Sequence, residues 1–258
     1  MAAFLSPLKS KPLRLPGQSL DEQIDYVIND RAAEYLFGAG CLCLLAATEW
    51  FGYLMHRPRM PLLFAGMALV GIGIAAWRLS ATKTQLRQLR LGRDGERCVG
   101  QFLERLREDG SQVFHDVPAE GFNLDHVVIS RHGIFAIETK TWTKPWPKAT
   151  ILVDGTELLV AGRKPDRNPM QQAAGAARWL ESLLAESTGK QFQARGVVVF
   201  PSWWVEQRSP RGAVWVLEPK ALPERIRHEP ESINSSDVAL ASSHLSRYVR
   251  SMAAKHDR

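Results

Sequence analysis

The sequence predicts a mixed α/β domain, one sheet flanked by helices, preceded by two transmembrane helices. Three observations point there. Two apolar runs, residues 35–55 and 61–79, each come close to the roughly 20 residues needed to cross a ~30 Å hydrocarbon core. From Gly92 onward, short β-rich runs and amphipathic helical stretches follow in the order α-β-β-β-hairpin-α-β-β-α, which one sheet with helices on both faces accommodates. Within that second region, LDHVVISRHGIFAIETK at residues 124–140 reads as two short strands joined by a tight turn.

The 258 residues suffice for one or two domains with a real core, and the net charge of +6 suits an anionic partner without choosing between nucleic acid and membrane. Cys41, Cys43 and Cys98 have no metal-ligand spacing, so a zinc site or disulfide framework is not expected. Residues 1–33 have no acidic residue before Asp21 and contain Pro7, Pro12 and Pro16 in place of an apolar signal region. They read as a flexible cytoplasmic tail, with a short polar helix over residues 21–31.

Residues 34–80 form the expected transmembrane hairpin, with contact to the lipid bilayer through residues 35–79. Trp50, Tyr53 and Trp77 lie near the ends of the runs, where interfacial aromatics belong. Glu49 is the irregularity: it either reaches the interface or faces the second helix. Arg78, Lys83, Arg87, Arg90 and Arg93 follow the second run, whereas the connecting loop carries only Arg57 and Arg59. Counting positive charges puts both termini in the cytoplasm and the hairpin tip outside, as in a bacterial inner-membrane protein. Residues 81–91 read as a basic linker helix.

Residues 92–258 form the soluble domain. Asp94 is expected to cap a helix to about Arg107, with Val99, Phe102, Leu103 and Leu106 inward and Glu96 pointing along the same stripe. QVFHDV at residues 112–117 is the first strand. Residues 141–148, TWTKPWPK, are too proline-rich for a central strand. Their Trp142, Lys144, Trp146 and Lys148 suit either a stacking-and-phosphate surface for nucleic acid or a loop covering the sheet edge. Asp154-Gly155 marks an accessory ribbon. Asn168-Pro169 opens a helix to about Glu186, with Gln171 and Gln172 in its first turn. Further strands are expected at residues 195–200 and 213–217, and helices at residues 222–227 and 236–253.

A turn at Arg131-His132 sets Asp125 opposite Glu138. Alternation then gathers Asp125, Val127 and Ile129, and across from them Ile134, Ala136, Glu138 and Lys140, on one face. Two close carboxylates make an oxygen-only site of the type Mg²⁺ or Mn²⁺ prefers, and a lysine two residues on can orient water or stabilise a phosphate. The same charges also suit a surface ion pair of Lys140 with Glu138 or Asp125. His126 points to the opposite face and His132 lies in the turn, so neither joins this set.

Four pieces in order, GRDGE (residues 92–96), LDHVVIS (124–130), GIFAIETK (133–140) and NPMQQ (168–172), resemble the nuclease-related domain (NERD) family of the PD-(D/E)XK nuclease-like superfamily. The resemblance implies a restriction-endonuclease-like α/β fold and divalent-metal-dependent hydrolysis of DNA, or RNA as the lesser expectation. It implies that Asp125 and Glu138 hold the metal, that Lys140 is catalytic, that Glu96 completes the metal site and that Gln172 supports it. A nucleic-acid-binding or scaffolding module with little turnover is the alternative.

Overall fold

The computed structural model describes residues 13–55, 60–209 and 212–256 and divides the chain into two compact units. One is Ser19–Leu91; the other joins Met1–Gln18 to Gly92–Arg258. The chain therefore leaves the larger unit at Gln18 and re-enters it at Gly92.

In the smaller unit, α1 (Gln18–Tyr26) passes through a π-helical turn, Val27–Ala32, into α2 (Ala33–Leu54). α3 spans Pro61–Glu104. Two helical stretches, Gln18–Leu54 and Pro61–Asp109, are long and apolar enough to cross a membrane, with 11% of each apolar window buried. Leu36, Phe37, Leu44, Phe51, Leu62 and Leu69 are all exposed. The expected loop residues Arg57 and Arg59 lie outside the described residues. Glu49 accepts a 3.4 Å hydrogen bond from the Met60 main-chain N–H, next to the start of α3.

Asp94 caps nothing: it lies inside α3, which continues without a break through the expected linker and the expected first helix. No proline interrupts residues 62–104, and the residues before Gly92 are mostly good helix formers, so nothing ends the helix there.

The larger unit is built on a five-stranded sheet of order β1-β2-β3-β6-β8. Its strands are β1 (Gln112–Ala119), β2 (Phe122–Ser130), β3 (Gly133–Thr139), β6 (Ala194–Val199) and β8 (Trp215–Leu217). β1, β2 and β3 pair antiparallel, then β3, β6 and β8 run parallel. The β2–β3 register, Ser130 with Gly133 through His126 with Ile137, is the one the turn dictates. α4 (Pro169–Thr188) is the crossover between β3 and β6, and Asn168 caps it by accepting from Met170 N–H at 3.0 Å.

One face of the sheet buries Val127, Ile129, Ile134 and Ala136 against Ala176, Leu180 and Leu184 of α4 and Val238, Leu245 and Val249 of α6 (Ser235–His256). The other buries Val128, Phe135 and Ile137 against Val99 and Leu103 of α3 and Leu222 and Ile226 of α5 (Leu222–Arg227). The expected single sheet is corrected in one respect. The accessory ribbon, β4 (Thr150–Asp154) and β5 (Glu157–Val160), joins β7 (Trp204–Gln207) in a separate three-stranded sheet. Trp203 and Trp204 divide the work there, the first buried in a core with Phe200 and Met170, the second exposed.

Candidate active site

The site forms where β2 begins and β3 ends. Register carries Asp125 and Glu138 to adjacent positions just past the last paired residues, and Asp125 Oδ2 accepts a 2.6 Å hydrogen bond from the Thr139 main-chain N–H. Lys140 is anchored by its own N–H on Val199 O at 2.9 Å, and its ammonium lies 2.6 Å from Glu138 Oε1. An ion pair was one of the two readings of these charges; it exists, and the site surrounds it. Both side chains keep part of their surface in solvent, 24% for Lys140 and 17% for Glu138, so a ligand can reach them.

Glu96 arrives from the opposite face of the sheet, on the same helix as Val99 and Leu103. A Cβ on Gly95 would stand 2.1 Å from Thr141 Cγ2, so only glycine lets α3 pass this close to the residue that follows Lys140. Glu96 is 8% exposed. Burial, then Asp116 and Glu138, push its carboxyl up to about 8, while the Gly17 N–H and Lys140 pull it partly back. Asp125 is held well above the ordinary carboxylate range by burial, Glu138 and Glu96 in that order, against the Thr139 N–H and Lys140. The three acids therefore repel one another with a single lysine among them.

Two features of this site escaped the sequence. At Asp116 the β1–β2 ladder skips one pair: His115 faces His126 and Val117 faces Leu124, but Asp116 and Asp125 are unpaired. Asp116 adopts φ +48°, an uncommon conformation for a residue inside a strand, and is 1% exposed. This kink breaks the strict alternation expected of β2, since Leu124 joins Val127 and Ile129 in one core. The second feature is a strap, residues 13–18. Arg14 Nε lies 2.8 Å from Asp116 Oδ2, Asn123 donates to Asp116 Oδ1 at 3.0 Å, and Gly17 reaches Glu96. Gly17 has φ +71°, and a Cβ there would stand 3.0 Å from Arg93 Cγ. This part of the expected flexible tail is thus folded into the larger unit; residues 1–12 lie outside the described residues.

Gln172, in the first turn of α4, lines two clefts. One, of about 690 Å³, it shares with Lys140; the other, of about 380 Å³, with Glu138. Its Oε1 is buried without a hydrogen-bond partner among the described residues. Of the expected nucleic-acid surface, Trp142 packs on Phe200 with ring centroids 5.3 Å apart and Lys144 sits 5.5 Å over the Trp203 ring. Those two residues pack on the chain's own aromatics, whereas Trp146 and Lys148 are exposed.

On the α3 side, His126 and His115 form a buried chain to Glu104. The two Nδ1 atoms are 2.8 Å apart, and His115 Nε2 lies 2.8 Å from Glu104 Oε1. Burial lowers both histidines, His126 most strongly, so the rings are neutral and His126 Nε2 ends the chain without a partner. His132 is tied to Glu229 O at 2.6 Å.

The comparison with protein families decides what this arrangement is related to. Residues 91–201 match the nuclease-related domain, NERD. The NERD stretch holds β1 to β6 and α4, and with them Glu96, Asp125, Glu138, Lys140 and Gln172. The strap, the two long apolar helices' membrane-length runs and α5 and α6 lie outside it. Comparisons with curated proteins and with solved structures found no match.

The residues fit a divalent cation by donor chemistry. Glu138 Oε2 and Asp125 Oδ1 are left over from the bonds described, Gln172 Oε1 is an orphaned buried oxygen, and the mutual repulsion of the acids is what a cation would relieve. Among the described residues no three His, Cys, Asp or Glu side chains already stand at cage spacing.

Proposed function

We propose that this chain is a membrane-anchored, divalent-metal-dependent nuclease acting on DNA, with RNA the lesser substrate. The observation that carries the reading is the Lys140–Glu138 pair at 2.6 Å beside Asp125, within a NERD match. Asp125 and Glu138 would hold Mg²⁺ or Mn²⁺, with Glu96 nearby. The cation supplies Lewis-acid stabilisation of the phosphate and lowers the pKa of an attacking water. Lys140 has three ammonium donors, of which Glu138 takes one; the others face charge developing on phosphate oxygens. Gln172 offers its amide oxygen to the same side. Glu96, near its ordinary ionisation only above about pH 8, accepts or holds a proton until a cation replaces it.

The apolar, exposed surfaces of α2 and the first half of α3 support a bilayer location. The chain leaves the larger unit at Gln18 and returns to it at Gly92, a connectivity that suits a hairpin between the two points.

The full chain, purified in detergent micelles, is to be assayed with Mg²⁺ or Mn²⁺ on linear, nicked and single-stranded DNA and on RNA. Wild type should cleave, and Lys140→Ala and Glu138→Ala should not; equal background in all three overturns the reading. A cysteine placed at Pro58 in a chain freed of its own cysteines should label from outside intact cells. Labelling only after lysis reverses the orientation. A second reading, a nucleic-acid-binding or scaffolding module with little turnover, is favoured by one observation: Lys140 occupies a Glu138 oxygen and no ready-made cage exists among the described residues. Metal-independent binding retained in Glu138→Ala, without cleavage by wild type, would select it.

A further inference from the structure

Glu138 and Lys140 stand between two clefts of opposite character, with Gln172 in the wall of both. The larger is cationic. Arg163, Lys164 and Arg167 line it together with Lys140, against the one acid Asp166. Lys164 is paired with Glu157 at 2.6 Å, but neither the Arg163 nor the Arg167 guanidinium is held by a hydrogen bond or ion pair to a described residue. Both arginines are exposed. Two arginine heads kept free beside a lysine in one cleft supply the charge that phosphates of a strand require.

The smaller cleft is aromatic. Phe122 and Trp179 meet edge-to-face with centroids 5.7 Å apart, Glu138 and Gln172 line the same cleft, and the volume is about 380 Å³. Phe122 is 42% exposed, although it opens β2 and could have been covered by α4. A cationic groove joined to an aromatic recess is how proteins hold single-stranded nucleic acid: phosphates in the one, an unstacked base against the other. A continuous duplex would have to extrude a base to use the recess, at a few kcal/mol.

We propose that the two clefts form one track for a single nucleic-acid strand. Arg163 and Arg167 grip phosphates on one side of the phosphodiester presented to Lys140, and the Phe122–Trp179 recess takes an unpaired base on the other side. This rests on the proposed nuclease reading for what Lys140 faces, and it narrows the substrate to single strands, flaps or frayed ends.

The test uses full-length protein in detergent micelles with EDTA present, so that binding is read apart from cleavage. Fluorescence anisotropy measures affinity for a labelled 20-nucleotide single strand, a blunt duplex and a flapped duplex at several salt concentrations. The single strand and the flap should bind at least about tenfold more tightly than the duplex. Arg163→Gln with Arg167→Gln should reduce the salt slope by about 1.4, two phosphate contacts on a single strand. Arg250→Gln, an exposed change on α6, controls for net charge and should leave the slope unchanged. A strand carrying 2-aminopurine should lose fluorescence on binding wild type and regain it with Phe122→Leu, a substitution mild enough to keep the fold. Equal binding of duplex and single strand, an unchanged slope in the double arginine variant, or unaltered quenching with Phe122→Leu overturns the track. Cleavage by wild type with any of those results would leave the nuclease standing without the track. Specific single-strand binding with no metal-dependent cleavage would do the reverse.

Discussion

Glu96 and Glu104 are eight residues apart on the same helix, and the protein treats them in opposite ways. Burial raises a carboxyl in both places, but at Glu104 hydrogen bonds from Arg107 and His115 outweigh it and hold the group below its ordinary value. Glu96 meets Asp116 and Glu138 instead, and goes up to about 8. One carboxylate ends a chain, Glu104–His115–His126, closed at every link but the terminal His126 Nε2. The other sits among acids that already have their own cations, Asp116 with Arg14 and Glu138 with Lys140. The lesson is that burial alone does not mark a functional acid; its partners do. A buried acid left among other acids is where a fold gives up stability for binding.

The comparison can be broken most forcefully on the crowded side. Lys140→Ala should abolish metal-dependent cleavage, a loss on the order of a thousandfold or more. Glu138→Gln should do the same and, without metal, should bring the Glu96 carboxyl down from about 8, because one of the charges that raises it disappears. An unchanged pH dependence of metal-free melting in Glu138→Gln would remove Glu138 from the acids that act on Glu96. The strap gives the next largest effect. Arg14→Ala strips Asp116 of a buried partner, and thermal or denaturant unfolding should show a loss of about 3 kcal/mol; unchanged stability would mean that the strap is not part of the folded unit. On the closed side, Glu104→Ala orphans His115 Nε2. It should destabilise by about 2 kcal/mol while cleavage at saturating metal stays within a few-fold of wild type. A large activity loss there would erase the distinction between the two acids.

The smallest effect is the most diagnostic. In the native state Glu96 keeps its proton up to about pH 8, whereas the unfolded chain releases it near 4.5. Between those values the folded state binds more protons, so this group's contribution is fully present below pH 4.5 and is lost as pH rises towards 8. Metal-free melting curves should therefore show stability declining across that window, and Glu96→Gln should flatten the decline. Excess Mg²⁺ should flatten it too, by binding the ionised form. A decline unaltered by Glu96→Gln assigns it to another group.

Much of this was legible in the sequence because it is local. The β2–β3 register follows from a two-residue turn and a side-chain period of two, and Asn168-Pro169 spells a helix start in adjacent letters. The core stripe of α4, Ala173, Ala176, Leu180 and Leu184, repeats at helical spacing. What could not be read is what depends on distant residues or on backbone geometry. Asp116 in QVFHDV offered only a charge interrupting an apolar strand, with no sign of its positive φ. The continuity of α3 was hidden because Asp94 looks like a cap, and only the absence of a breaker around it argued otherwise. Arg14 lay in a proline-broken stretch whose partner is 102 residues away, a separation at which sequence pattern carries no information. Residues 141–148 left two readings open, and the sequence had no way to show that Trp142 packs on Phe200 and Lys144 on Trp203.

The strap has a consequence for how the protein is made. Residues 13–18 leave the ribosome before the two apolar helices, and Asp116 and Glu96 leave it after them. The ion pair between Arg14 and Asp116 must wait until everything between has been synthesised and placed. Closing so long a loop adds little entropy beyond a shorter one, because the penalty grows only with the logarithm of length. Timing, rather than energy, is what the connection controls. A chain stalled in its apolar segment would carry Arg14 and the Gly17 N–H without the carboxylates they meet, and so would reach its finished electrostatics only once residues 92–123 had been made.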